Sequence, residues 1–308
     1  MPSVDVSIVT WNSAAVLQDA LVSVFAQTRK PDHVYITDNA STDGVREVLM
    51  KFPTCTVTYL QQNTGFAAAH NDALAQSTAD YVLVMNPDVT LRPDYIEQLC
   101  AFAEEHPRAA AFVGAVLRPD GVPDTAGLYV APWRIVKDLT DQPQAPRPVF
   151  GVSGALALYR RAALLDVARN GNIFNPMLFA YKEDVELAWR LRWAGWQAFT
   201  VPTAVAQHSR VMQHEVKRSR RAVDRRFLSY RNHLLLYSLV ESRKTLLPDL
   251  WLVIPAELCR FIVLLLTDTR VTVRALAAAA KMWHAARTFA SRERRTAHAS
   301  QVRAAFRP

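Results

Sequence analysis

The sequence predicts an α/β protein: a mostly parallel sheet with flanking helices, followed by a basic, apolar helical C-terminal region. Three observations predict it. Within residues 4–105, apolar strand-like runs alternate four times with helix-patterned segments, and such β-α-β units build parallel sheets through right-handed crossovers. Half of the 308 residues are hydrophobic, enough to bury a sizeable core. From residue 209 onward 20 Lys and Arg stand against 7 Asp and Glu, a surplus of +13, whereas residues 1–208 carry 16 against 21, a deficit of −5. The tail is chemically a different object from the body.

Taken in order, "DVSIVT" reads as a strand and "AAVLQDALVSVFAQT" as the helix after it. "HVYITD" is followed by a helix from about Thr42, "TVTYL" by "GFAAAHNDALAQS", and "YVLVMN" by "PDYIEQLCAFAEEH". Ligands of such sheets bind beyond the carboxyl ends of the strands. Polar residues cluster there: Thr10 to Asn12 close the first strand, Asp38 and Asn39 the second, Asn86 and Asp88 the fourth. One such cluster is an ordinary turn; three on one rim point to a site. In "MNPDV", Asp88 offers the hard oxygen that Mg²⁺ or Mn²⁺ prefers beside substrate phosphates, and a plain Pro-containing turn explains it equally well.

Further on, "FAYKEDVELAWRLRWAGW" (179–196) reads as a helix that begins with three carboxylates. Glu183, Glu186 and Arg190 share one face, which the helix dipole and solvent account for. On that reading Glu186 and Arg190 form an exposed pair worth about 0.3–0.5 kcal/mol. Asp184 instead stands above Ala188 and Leu191 and points inward, where a carboxylate needs a partner or a task. Gly151 and Gly154 in "GVSGALALYRR" allow close backbone approach or a strand bulge. Trp193 and Trp196 serve either a sugar or the core.

Several classes are disfavoured. No G-x-G-x-x-G follows the first strand and no G-x-x-x-x-G-K-[ST] occurs, which argues against a dinucleotide oxidoreductase or a P-loop NTPase. Cys55, Cys100 and Cys259 lie far apart and form neither a disulfide framework nor a zinc motif. "MPSVDVSIVTWN" runs directly into a strand pattern without a charged n-region and apolar h-region. A cytoplasmic protein is expected. The basic runs lack interleaved aromatics, so no nucleic-acid partner is expected.

The ordered set "VSIVTWN", "ITDNASTDG", "NTGFAAAHNDAL", "MNPDV", "GVSGALALYRR" and "FAYKEDVELAWRLRWAGW" resembles the family 2 glycosyltransferases with the Rossmann-like GT-A fold, in particular their bacterial rhamnosyltransferase-like branch. It spans about residues 4–208. The resemblance implies an inverting transfer from a nucleotide-diphosphate sugar, assisted by Mn²⁺ or Mg²⁺. It assigns Thr10, Trp11, Asn12, Asp38 and Asn86 to the nucleotide-sugar, with Asn63 and Gly65 in a loop closing over it. Asp88 and His208 match metal ligands, with His214 as a competitor for the latter, and Asp184 matches the catalytic base. Gly154, Glu183 and Trp196 are acceptor or loop candidates. Asn86 departs from the first acid of the D-x-D pattern, and Trp11 from the more usual Tyr.

The resemblance further implies a catalytic region over 1–215, with a nucleotide-sugar half to about 105 and an acceptor half from about 106. A helical region for membrane association or an interface is expected over 216–308. There "LLPDLWLVIPAELCRFIVLLLT" (246–267) is very apolar but carries Asp249, Glu257, Arg260 and two prolines. Its charge-free runs fall short of the roughly 20 residues that span a bilayer. With "KRSRRAVDRR" before it and "SRERR" after it, it reads as an element lying on an anionic membrane, with a helix packed on the catalytic region or in a dimer interface as the alternative. The expected protein is thus peripheral at the inner face of the cell membrane. It would move rhamnose or another hexose from a dTDP- or UDP-linked donor to a lipid-linked or polysaccharide acceptor, and a homo-oligomer is left open. A galactofuranosyl transferase and an inactive nucleotide-binding scaffold are the competing readings.

Overall fold

In the computed structural model, which describes residues 2–210, 220–290 and 295–306, the alternation of the sequence becomes a ten-stranded mixed sheet. The first part runs β1 (Val4–Thr10), α1 (Ala14–Phe25), β2 (His33–Asp38), α2 (Val45–Leu49), β3 (Thr56–Tyr59), α3 (Gly65–Gln76) and β4 (Tyr81–Met85). These strands pair in parallel in the order β3-β2-β1-β4. β1 and β4 are buried almost throughout, as strands covered on both faces are; β4 is a continuous apolar run, and β1 buries Asp5 and Ser7 among its apolar residues.

β5 (Val89–Leu91), α4 (Tyr95–Glu105), β6 (Ala109–Leu117) and the short β7 (Pro123–Thr125) follow. Next come the hairpin β8 (Leu128–Val130) and β9 (Val136–Asp138), then β10 (Arg147–Val149), β11 (Leu156–Arg160), α5 (Arg161–Val167), α6 (Glu183–Trp193) and β12 (Gln197–His208). β11 inserts antiparallel between β4 and β6. β12 pairs in parallel with β6 and antiparallel with β5 and β10. The parallel half therefore ends at β4, and β11 carries the chain back beside it.

The last part is helical: α7 (Arg220–Leu239), α8 (Arg243–Leu246), α9 (Leu250–Thr267), α10 (Thr269–Ala290) and α11 (Ala299–Ala304). A second apolar cluster joins it to the body, with Val185, Ala188, Trp189 and Trp193 of α6 packed among Leu235, Leu239, Ala279 and Phe306. Trp193 also donates its indole N–H to the Val240 carbonyl at 2.8 Å. α6 is thus covered by the sheet on one side and by the C-terminal helices on the other.

That covering corrects one expectation. Glu186 and Arg190 are not a surface pair but are buried at 0% and 1% exposure, and Glu183, expected in solvent on the same face, is buried too, whereas Asp184, expected to point inward, is half-buried. The Arg190 Nε lies 2.9 Å from both Glu186 oxygens, its Nη1 donates to the Val167 carbonyl at 2.6 Å, and Arg169 approaches Glu186 at 3.6 Å. The segment after α5 closes over this face, which periodicity within α6 alone does not reveal.

A second expectation is revised as well. α8, a 3₁₀ turn and α9 form a helical run over Arg243–Thr267, 25 residues long, whose most apolar 18-residue window has a mean hydropathy of 2.0. By length and composition it suffices to cross a membrane, because its internal charges do not interrupt the helix. Glu257 is held by His233 at 2.8 Å and by the Tyr237 hydroxyl at 3.1 Å. Nor is α9 a buried helix: Trp251, Ile254, Leu258, Ile262 and Leu266 are exposed, Leu266 to 82%. The flanking basic runs fall largely outside the described residues, as does His214.

Removing one partner from a buried ion pair leaves the other charge uncompensated and costs about 3–5 kcal/mol. Glu186→Gln is therefore expected to lower the urea midpoint substantially at unchanged m-value. A loss below about 1 kcal/mol, the range of an exposed pair, would contradict the buried arrangement.

Candidate functional site

The parallel order β2-β1-β4 places the carboxyl ends of these strands side by side, and the polar residues named from the sequence meet there. Thr10 and Asp38 pair across β1 and β2. The Asn39 backbone N–H donates to the Thr10 carbonyl at 2.8 Å, and Asp38 Oδ1 accepts the Ser41 N–H at 3.0 Å. Asn12, at φ +52°, donates its N–H to Ser41 Oγ at 2.9 Å and accepts the Thr42 N–H on its side chain at 2.8 Å. The β1 and β2 turns are thereby stitched together, with Trp11 exposed beside them.

The loop before α3 is tied to the same rim. Asn39 accepts the Thr64 N–H at 2.8 Å and donates to the Gly65 carbonyl at 3.2 Å, while Asn63 Oδ1 accepts the Gly65 N–H at 2.9 Å. Gly65 has φ +85°, and a Cβ there would lie 2.5 Å from the Phe179 carbonyl oxygen. Only glycine fits such a position without moving backbone. Two residues on, the Ala67 N–H donates to that same Phe179 oxygen at 3.1 Å.

Across the rim, the Asn86 N–H donates to the Ala155 carbonyl at 2.8 Å, and the preceding Gly154 N–H donates to Asp184 Oδ2 at 3.0 Å. Asn86 and Asp184, nearly a hundred positions apart in sequence, are thus joined through residues 154 and 155. Gly151 approaches α6 itself, since a Cβ there would meet the Ala188 Cβ at 2.4 Å. Asp184 is half-buried at the first turn of α6. Its neighbour Glu183 is buried, and its Oε2 has no hydrogen-bond partner. Burial first, and the charge of Asp184 second, push the Glu183 carboxyl well above the usual range.

The third cluster is a relay. His208 Nε2 faces Asp88 Oδ1 at 3.2 Å, and its Nδ1 faces Asp124 Oδ2 at 2.8 Å. Burial alone would push the imidazole down. Hydrogen bonds and charge from Asp124 and Asp88 outweigh burial and lift it to about 9. Burial likewise raises Asp124, but His208 and Arg210 more than reverse this and hold it at about 2.

Among the described residues no group of three or more His, Cys, Asp or Glu side chains is arranged as a ready metal cage. The donor chemistry of the relay nevertheless fits a divalent ion. Asp88 and His208 present a carboxylate oxygen and a ring nitrogen to each other. Asp124 on the far nitrogen fixes the ring as an outer-shell carboxylate does for a ligating histidine. A single carboxylate with a few further ligands suits Mg²⁺ or Mn²⁺ when a substrate diphosphate completes the shell.

One candidate stands apart. Trp196 lies beyond the C-terminus of α6, where the chain turns at Gly195 and its backbone N–H donates to the Leu191 carbonyl at 2.9 Å, at the opposite end of the helix from Asp184. It donates its indole N–H to Asp166 at 3.0 Å and packs on the main core. Asp124, which lies in a three-residue strand without a motif, was not singled out by the sequence. Neither was Asn232, a buried amide in α7 that donates to the carbonyls of Leu178, Ala180 and Tyr181 at 2.8, 2.9 and 2.6 Å. The available signal was an Arg-Asn-His triplet preceding the apolar run "LLLY".

The strand-end side of this rim falls within a family profile, and the acidic start of α6 lies beyond it. The profile described as "Glycosyl transferase family 2" matches residues 5–167. The chain belongs to glycosyltransferase family 2. As a glycosyltransferase it resembles the N-acetylglucosaminyl-diphospho-decaprenol L-rhamnosyltransferase of Mycobacterium tuberculosis, with 30% identity over 230 residues, 65% of this chain and 74% of that protein. Its fold is shared by solved structures, of which two illustrate it. A mannosyltransferase from Pyrobaculum calidifontis, in complex with GDP-Man and Mn²⁺, superposes with a TM-score of 0.56 at 20% identity and covers 99% of this chain and 86% of its own. GalNAc-T7 with UDP, GalNAc and Mn²⁺ gives 0.60 at 14% identity over 78% of this chain, which spans 48% of that protein. The architecture is the GT-A fold.

Proposed function

We propose that this glycosyltransferase moves rhamnose, with inversion, from a dTDP- or UDP-linked donor to a lipid-diphosphate-linked acceptor during cell-surface glycan synthesis. The observation that carries the reading is the hydrogen-bonded path from Asn86 through Ala155 and Gly154 to Asp184. It puts a carboxylate able to accept a proton beside the turn that carries Asp88. The name of the mycobacterial relative supports both the sugar and the class of acceptor.

Each residue then has a task. Thr10, Trp11, Asn12 and Asp38 hold the nucleoside at the ends of β1 and β2, and Asn63 and Gly65 shape the loop over it. Asn86 faces the diphosphate. Asp88 and His208 would hold Mn²⁺ or Mg²⁺, whose chemistry there would be to neutralise charge on the departing diphosphate. Asp184 takes the proton of the acceptor hydroxyl as its oxygen bonds to the anomeric carbon and the bond from that carbon to the diphosphate oxygen breaks. The Gly154 N–H on Oδ2 fixes the carboxylate, and burial, with the charge of Asp184 beside it, raises the Glu183 carboxyl well above its usual range and so favours its neutral form.

Asp184→Asn keeps shape and deletes basicity. Transfer is expected to fall by about 10²–10⁴-fold while nucleotide affinity holds, and Glu183→Gln, which keeps the shape of a side chain given no proton-transfer task, is expected to retain most turnover. UDP or dTDP with Mn²⁺ should raise the melting temperature, since saturation at 100 Kd stabilises by about 2.7 kcal/mol, and Asp88→Ala should lose the Mn²⁺-dependent part. Normal turnover by Asp184→Asn would reassign the base. Absence of any nucleotide shift in the wild type would reject the donor site.

The C-terminal region is assigned to attachment at the cytoplasmic face of the membrane. Trp251, Ile254, Leu258, Ile262 and Leu266 recur every three or four residues and form one exposed stripe on α9, beside a tail with a surplus of +13. Co-sedimentation with liposomes should increase with anionic lipid, decrease with salt, and drop sharply in the double variant Trp251→Glu and Leu258→Glu. Unchanged binding by the double variant would remove the stripe from the account.

A further inference from the structure

Between the β8–β9 hairpin and α9 runs a groove of about 560 Å³, open along one side. Trp133 and Ile135 line one wall, and Leu252, Ala256 and Val263 the other. Its charged lining residue is Arg260. The groove is held open by construction: Arg134, between the two hairpin wall residues, is buried and ion-paired to Glu241 and Asp249, and also donates to the Thr245 carbonyl at 2.7 Å. Three contacts from one guanidinium fix the hairpin against the start of α9. An apolar channel with rigid walls and a cation among them accepts an amphiphile with an anionic end.

The helix that carries Arg260 is also tied to the acidic turn: Glu257, three residues before Arg260, meets His233 at 2.8 Å, and the neighbouring Asn232 donates to the Ala180 and Tyr181 carbonyls just before Lys182. Asp138, three residues beyond Ile135, lies within electrostatic reach of Asp184. Lys182 precedes the two carboxylates that open α6, and it senses Asp184 and Arg260 together. Burial lowers its ammonium first, Asp184 raises it, and Arg260 lowers it further. Arg260 is not consumed by a tight ion pair. Its nearest carboxylate, Glu257 at 3.8 Å, is already engaged by His233 and Tyr237. Arg260 on the groove wall and Lys182 at the start of the acidic turn thus act on each other electrostatically.

We propose that this groove is the acceptor subsite: it takes the first isoprene units of a polyprenyl diphosphate, while Arg260 and Lys182 meet the diphosphate. The proposal rests on the function given above and specifies where the lipid end of the acceptor lies. The stripe of α9 that faces away from the body meets the bilayer, and the groove draws a single chain out of it toward Asp184. A lipid without the anionic group satisfies the walls but leaves both cations unmatched.

The test uses the full-length protein in detergent with a farnesyl diphosphate analogue carrying a benzophenone on its terminal isoprene. The matching farnesol analogue and nucleotide-induced melting shifts serve as parallel readings. Photolabelling should map by mass spectrometry to the 133–135 and 252–264 peptides and be competed by farnesyl diphosphate. It should exceed labelling by the alcohol about tenfold, as charge-assisted contacts to a diphosphate require. Arg260→Gln should reduce that preference to about twofold, and Ala256→Trp should cut labelling at least about fivefold by filling the channel. Both variants should keep the UDP or dTDP melting shift, which shows that they fold. Labelling elsewhere, equal labelling by the alcohol, or an unaltered diphosphate preference in Arg260→Gln overturns the proposal. Equal labelling would mark a plain bilayer-facing surface. Loss of groove labelling with the nucleotide shift intact rejects the subsite alone, whereas a wild type without a nucleotide shift rejects the donor reading beneath it.

Discussion

One side-chain amide, that of Asn232, holds the segment on which the rest of the site depends. Between Leu178 and Glu183 the chain turns sharply, with Phe179, Tyr181 and Lys182 at φ +65°, +70° and +73°. None is glycine, and each such residue costs on the order of 1–3 kcal/mol unless its surroundings impose it. Asn232 imposes it by donating to three carbonyls of this turn, and Arg231 adds a bond of 2.9 Å to the Leu178 carbonyl. The turn in turn presents the Phe179 oxygen to α3 and sets the first residues of α6. A helix from the basic tail thus determines where Asp184 stands.

The constraint spreads through the rim. The loop at Gly65 closes against Phe179, and Asn39 binds that loop from the other side, so the edge of the sheet and the start of α6 share one set of backbone contacts. The Asp88–His208–Asp124 relay is anchored independently, since Ser209 donates its N–H to the Asp88 carbonyl at 3.0 Å and β12 pairs with β5 beside it. The relay and the acidic start of α6 are therefore supported by different parts of the fold, and the 153–155 loop joins the Asn86 turn to Asp184. The C-terminal helices do double duty, shaping the acidic turn on one side and exposing the apolar stripe of α9 on the other.

What was legible in the sequence follows from how local each signal is. The strands and helices of the first hundred residues are specified by periodicity, and the polar strand ends Thr10, Asp38 and Asp88 meet because parallel strands bring like ends together. Helix geometry alone put Asp184 inward and Glu183 and Glu186 in solvent, whereas both glutamates are buried and Asp184 is half-buried, because the chain packs on α6 from both sides. Other features depend on what packs from elsewhere. Nothing within α6 shows that the Glu186–Arg190 face is covered by the chain after α5. No spacing connects Asp124 to His208, 84 residues later. Asn232 makes sense only once the carbonyls of a strained turn more than fifty residues earlier are found pointing at it. The composition of α9 marked it as apolar, but the inward-facing Glu257 allows an uninterrupted helix where charge count argued for short runs.

The account's central claim is that the α7 amide sets the acidic turn for transfer. Asn232→Leu keeps the volume and removes both donors, leaving the turn carbonyls unmatched and the three left-handed residues free to relax. The decisive measurement is the transfer rate of this variant beside its affinity for UDP or dTDP with Mn²⁺, at a temperature where circular dichroism shows it folded. Misplacement of a reacting group by about 1 Å can cost on the order of 10²-fold. The prediction is a fall in turnover of at least about tenfold, with nucleotide affinity held within about threefold, because the relay and the β1–β2 rim are anchored elsewhere. Unchanged turnover in a folded variant would show that Asp184 does not take its position from the C-terminal region.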